Sequence, residues 1–133
     1  MRRTNRKRRR GAAAVECAVV APLLVLISLG TIEACSMIFL RQSLEISAYE
    51  GARVAIVPGT TDQNVVATCL TIAGVRRVQD TTVTLTPSNV SAQPYGTIIK
   101  VSVTAPCASN ALLPPWFYAG RVVQGEVQMM KEM

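Results

Sequence analysis

Between Glu16 and Arg41 the chain runs for 24 residues, CAVVAPLLVLISLGTIEACSMIFL, with a single side chain that would be charged, Glu33. As a helix at ~1.5 Å per residue this segment spans about 36 Å, enough to cross the hydrocarbon core of a bilayer. It is longer than the apolar run of a secretory signal and continues into helix-compatible sequence, so it reads as a retained transmembrane helix. Orientation follows from charge. Residues 1–11 hold Arg2, Arg3, Arg6, Lys7, Arg8, Arg9 and Arg10 and no acid, so the formal net charge of +6 resides entirely in this leader. By the positive-inside rule the N-terminus lies in the cytoplasm and residues 41–133 lie outside. A Lys/Arg run is also a phosphate binder, but this one abuts a membrane helix and has no interleaved aromatic for base stacking, so nucleic acid is not expected as a partner.

Within the apolar helix, a charge near the bilayer centre costs about 2.5–3.5 kcal/mol on insertion scales, so each acid needs a reason. Glu33 lies about 12 Å before Arg41 along the helix; either it reaches the headgroup layer or is protonated, or it serves helix–helix packing. Gly30 and Ala34 form a small-xxx-small pair that would admit a second backbone. Pro22 removes one intrahelical hydrogen bond, to Ala18, and is expected to bend the helix.

Glu16 is the fifth residue after Gly11. A basic leader ending in Gly, followed by a hydrophobic helix with Glu at its fifth position, resembles the processing signal of type IV prepilins and pseudopilins. The resemblance implies a prepilin peptidase that cuts between Gly11 and Ala12 on the cytoplasmic face. It further implies that the new amino group of Ala12 and the Glu16 carboxylate of a neighbouring subunit neutralise each other, where an unpaired charge is costly. From Arg9 to about Ala55 the chain is similar to the TadE-like family of tight-adherence (Flp-type) pilus assembly proteins. The matching residues are Arg9-Arg10-Gly11, Ala14-Val15-Glu16, Ala18, Pro22, Gly30, Ile32-Glu33, Arg41-Gln42, Leu44, and Ala48 with Glu50-Gly51-Ala52-Arg53. That family usually has an aromatic after each glutamate, where this chain has Cys17 and Ala34. A competing signal, the lipobox-like Ile32-Glu33-Ala34-Cys35, fits poorly because of its glutamate and the long apolar run before it.

Outside the membrane the helix is expected to continue, since Leu44, Ala48, Ala52 and Ala55/Ile56 form one stripe that ends at Pro58-Gly59. Thr60-Thr61-Asp62 can cap a second helix with Val65, Val66, Cys69, Ile72 and Ala73 on its apolar face, closed by Gly74. Alternation predicts strands at Thr81–Thr86, Thr97–Ala105 and Arg121–Met130, with Val83 and Leu85, Ile99, Val101, Val103 and Ala105, and Val123, Val127 and Met129 inward. The expected fold is therefore α+β and pilin-like. A long N-terminal transmembrane helix continues outside, followed by a short second helix and a small three-stranded antiparallel sheet. The segments are a basic leader (1–11), the transmembrane and extended helix (12–57) and a small extracytoplasmic domain (58–133).

So small a domain would gain from a covalent staple. Cys69 and Cys107 both lie on the oxidising side, and a bridge closing about 39 residues would add ~3–4 kcal/mol, so an intramolecular disulfide between them is expected. The other reading of Cys69 is a small buried apolar residue. Leu112-Leu113-Pro114-Pro115-Trp116-Phe117-Tyr118 carries three of the six aromatics. It is expected to tuck onto its own sheet; a contact patch and a dip into the headgroup layer are the alternatives.

With no histidine, no GxSxG, no metal-ligand spacing and no paired carboxylates, the chain reads as non-enzymatic and free of cofactors. Two functions remain. The first, implied by the resemblance, is a minor pilin or pseudopilin of a tight-adherence pilus in the bacterial inner membrane, with the prepilin peptidase, other pilin or pseudopilin subunits and the inner-membrane pilus machinery as partners. The second is a stand-alone membrane-anchored envelope protein that binds a partner through its outer domain. Glu16 favours the first, because a plain anchor has no use for a carboxylate inside the bilayer.

Overall fold

Apolar periodicity decides where the long helix finds its partners. The computed structural model describes residues 4–132, with side chains from Gly11 onward. Of the basic leader, residues 1–3 lie outside this range. Helix α1 runs Thr4–Ala55 and continues through Pro22. Met37, Leu40, Leu44, Ala48, Ala52 and Ala55 are buried along one face at spacings of three and four, together with Ser43 and Ser47. The helix stops at Ala55, just before the expected break at Pro58-Gly59, where Gly59 takes a left-handed φ of 80°.

Helix α2 (Asp62–Val75) buries Val65, Cys69 and Ala73, while Val66 and Ile72 flank that face half-buried. Its direction follows from two contacts. Cys69 lies against Gly51, and Arg76 Nη1 reaches Ser43 Oγ at 3.5 Å, so α2 runs antiparallel to α1. A Cβ on Gly51 would collide with Cys69 Sγ, so this position sets how closely the two helices approach. Both helix ends depart from expectation. Thr61 stands at the N-cap without a side-chain bond, and the Asp62 carboxylate is engaged outside the helix, accepting from the Asn89 and Val90 amides at 2.7 Å. The turn after α2 is made by Arg77 in the left-handed region (φ 58°), not by Gly74, which remains inside the helix.

Three antiparallel strands complete the fold: β1 (Thr82–Thr86), β2 (Ile98–Pro106) and β3 (Val122–Met130), in the order β1-β2-β3. Pairing Val83 with Val103 and Val101 with Val127 puts the alternating apolar residues on one face, where Ile99, Val101, Val103 and Ala105 are buried against the helices. The opposite face carries the threonines of β1, Lys100, Ser102 and Glu126; Lys100 and Glu126 pair at 2.8 Å. Hydrogen bonds from Lys100 and then Gln128 hold the Glu126 carboxyl below its ordinary 4.5. The sheet thus packs one face only, giving an α+β arrangement of two layers. Gly125 lies directly on α1: a Cβ there would strike the backbone of Leu44 and Glu45, with Leu44 O at 2.8 Å. Between β1 and β2, a 3-10 turn (Val90–Ala92) is closed by buried Lys131, whose ammonium donates to the carbonyls of Val90 and Gln93 at 2.8 Å.

The sequence marks its break at Pro58-Gly59, but contacts divide the chain inside α1, into Met1–Ile32 and Glu33–Met133. Residues 33–55 supply one wall of the core, so they belong physically with the sheet and not with the helix that precedes them.

Candidate functional site

The first unit is an apolar helix surface with nothing on it. Every residue from Gly11 to Leu29 is exposed, Gly30 is half-buried, and Thr31 and Ile32 are exposed. Leu23, Leu24, Val25, Leu26 and Ile27 among them are at least half uncovered. In water such a surface is unfavourable by about 25 cal/mol per Å², whereas in lipid it costs nothing. The hydroxyls of Ser28 and Thr31 donate back to the carbonyls of Leu24 and Ile27 at 2.8 Å, so these polar groups are satisfied within the helix. Residues 11–32 at ~1.5 Å each cover about 33 Å, which fits membrane anchoring. The uncovered stretch ends earlier than the expected Cys17–Leu40, because Met37 and Leu40 are buried. Gly11, Ala12 and Glu16 stand at its beginning, all exposed, with Glu16 one turn inside; Pro22 is exposed in the middle.

Glu33 opens the second unit. It is buried to 7% exposure, and its Oε1 accepts the backbone N–H groups of Phe117 and Tyr118 at 2.9 and 2.8 Å. The donors come from a loop 84 residues further along the same chain, and charge-assisted bonds of this kind are strong. Ala34 beside it is half-buried. The loop itself follows the short helix α3 (Cys107–Asn110) and leads into β3. Its ends are pinned by Cys107 N–H to Arg121 O at 2.9 Å and by Asn110, whose side chain accepts from Gln79 N and donates to the Gln79 and Pro106 carbonyls. The Arg121 guanidinium lies 5.7 Å from the centre of the Tyr118 ring.

The aromatic side chains do not tuck in. Trp116 and Phe117 are 73% and 65% exposed, with ring centres 6.0 Å apart, and only Tyr118 is half-buried. The loop docks through its backbone amides, which leaves its apolar side chains free to point outward. Nothing local in the sequence announces this pairing.

The expected Cys69–Cys107 disulfide is absent; both are free, buried thiols. Cys69 packs at Gly51, close to Val101, whereas Cys107 shares a cleft with Met37 and Arg41. Ten or more residues of α1 separate those places, about 15 Å or more of helix, and bridging needs Cα atoms within about 7 Å. Burial pushes the Cys69 thiol up to about 11, and raises that of Cys107 against the opposing effect of Arg121. That cleft, about 320 Å³, is lined by aliphatic side chains with Arg41, Arg121, Tyr118 and Gln124. Among the described residues no group of three His, Cys, Asp or Glu side chains could hold a metal.

Residues 11–53 match the model of the family described as TadE-like protein. No curated protein and no solved structure matches the chain. The matched span covers the exposed helix surface from Gly11 onward and ends two residues before α1 does. It holds Glu16, Glu33, the buried Leu44, Ala48 and Ala52, and Gly51 at the α2 contact. The TadE-like family suggests involvement in tight-adherence pilus assembly.

Proposed function

We propose that this chain is a minor pilin or pseudopilin that acts in assembly of a tight-adherence type IV pilus. It is anchored in the bacterial inner membrane by residues 12–32, with its N-terminus in the cytoplasm and residues 33–133 outside. A prepilin peptidase removes residues 1–11. The mature Ala12 amino group is then neutralised by the Glu16 carboxylate of a neighbouring subunit, within a helix bundle shared with other subunits and the inner-membrane machinery.

The observation that carries this reading is the exposed apolar helix surface that follows Gly11. It is long enough for one crossing, exposed at every residue to Ile32 but half-buried Gly30, and has its one early acid at the fifth position after Gly11. A carboxylate placed there in an isolated anchor has a desolvation cost and no return, whereas in a bundle it has a partner. Gly30 and Ala34 stand at the other end of that surface, where small side chains permit close packing of helices.

Replacing Glu16 by Ala tests the reading. Insertion should be undiminished, since removing the acid makes it cheaper, while pilus assembly should fall by an order of magnitude or more. Wild-type pilus yield from Glu16→Ala would remove the subunit role and leave an anchored envelope protein.

A further inference from the structure

The second unit has a defined lower end. Val101 of β2 lies at Gly51, Gly125 opposite Val103 lies at Leu44, and Cys107 just after β2 lies by Met37. Strand β2 therefore descends along α1 toward Glu33, and the loop joining it to β3 lies at the Glu33 end. Glu33 fixes that loop, and the residue before Glu33 is the last of the exposed apolar helix surface. At this end the loop exposes Leu112 (79%), Trp116 and Phe117, while α1 exposes Ile38 and Phe39. Ile38 and Phe39 lie about 8–9 Å along the helix from Glu33, at the outer edge of the polar layer of about 5–8 Å that flanks a hydrocarbon core.

We infer that the loop Leu112–Tyr118 is an interfacial membrane anchor: Trp116 and Phe117 insert into the headgroup layer of the leaflet from which α1 emerges. This rests on the reading that residues 12–32 span that membrane. Tryptophan and phenylalanine beside two prolines form a stiff apolar wedge, and amphipathic aromatic rings concentrate at this depth. Glu33 is the positioning residue. Its two bonds hold the backbone of 117 and 118 at the level where the apolar helix surface ends, so the rings meet the bilayer without a further ordering cost. Lipid is favoured over a protein cover because the loop is held by the residue that follows the lipid-facing helix surface.

Trp116 is the only tryptophan in the chain, so the unaltered full-length protein reports on the loop by its own fluorescence. The chain is reconstituted into phosphatidylcholine–phosphatidylglycerol vesicles, and Trp116 is quenched with aqueous iodide and with phosphatidylcholines brominated either near the headgroup or near the chain end. Iodide quenching should be about threefold weaker than in the urea-unfolded, detergent-solubilised chain, and headgroup-proximal bromines should quench more than deep ones. Glu33→Ala should blur that depth preference, and Glu33→Gln, which keeps an acceptor oxygen, should retain it. Full iodide access overturns the anchor; so does shielding from iodide without bromolipid quenching, which means a second copy or another protein covers the loop. Carbonate extraction of the same vesicles separates the two readings. Release of the chain overturns the spanning helix and the anchor together, whereas a retained chain with water-exposed Trp116 overturns the anchor alone.

Discussion

Residues 11–32 and 33–55 belong to one helix and have opposite relations to the rest of the chain. The first stretch is large-aliphatic and uncovered on all sides; the second is narrow-faced, with Leu40, Leu44, Ala48 and Ala52 buried and Arg41, Glu45, Glu50 and Arg53 outside. Helix-forming sequence is common to both, so backbone hydrogen bonding does not distinguish them. Side-chain size does. Ser43, Ser47, Ala48, Gly51 and Ala52 let α2 and the sheet approach the second stretch, whereas Leu23 to Ile27 present bulk that lipid tails accommodate without a fixed shape.

The largest break in that comparison is Gly125→Val. Its side chain would meet the backbone of Leu44 and Glu45, which cannot turn aside. Over-packing of this severity should cost about 3 kcal/mol or more and unfold the outer unit in a thermal melt, with membrane integration unchanged. Leu24→Ala, in the uncovered stretch, should leave that melt unmoved.

A smaller effect sharpens the same point at the α2 contact. Gly51→Ala should destabilise the outer unit by about 1–3 kcal/mol through its collision with Cys69 Sγ, and Cys69→Ala should recover much of the loss in the double variant. Additive losses would mean that the two helices do not meet there.

The smallest effect concerns thiols. In the folded chain Cys69 and Cys107 should label far more slowly than exposed Cys35, because burial raises both thiols above their ordinary 9.0 and shields them. After unfolding in denaturing detergent all should label without a reductant, and a requirement for reductant at Cys69 and Cys107 would restore the bridge.

Periodicity made the architecture legible. The alternation of Ile99, Val101, Val103 and Ala105 against Lys100, Ser102 and Thr104 places β2 within a residue of its observed limits, and the Leu44-Ala48-Ala52 stripe appears as the buried face. What the sequence hid were relations between distant residues. The Glu33–Phe117 and Glu33–Tyr118 bonds, the split of α1 at residue 32, and the separation of the two cysteines depend on how β2 descends along α1, and no local pattern encodes that direction. The closing of α2 by Arg77 shows the same limit at short range. Gly74 is the better left-handed residue, yet the helix runs on to Val75 and closes with Arg77 N–H on Gly74 O and Val78 N–H on Ala73 O, both at 2.9 Å.

The central claim is that the uncovered half of α1 begins a mature, processed subunit at Ala12. Intact mass of the chain extracted from membranes of a host with its own prepilin peptidase tests it most directly. Loss of residues 1–11, abolished when that peptidase is inactivated, is the predicted result. A chain that still begins at Met1, in cells that process their own prepilins, would contradict it.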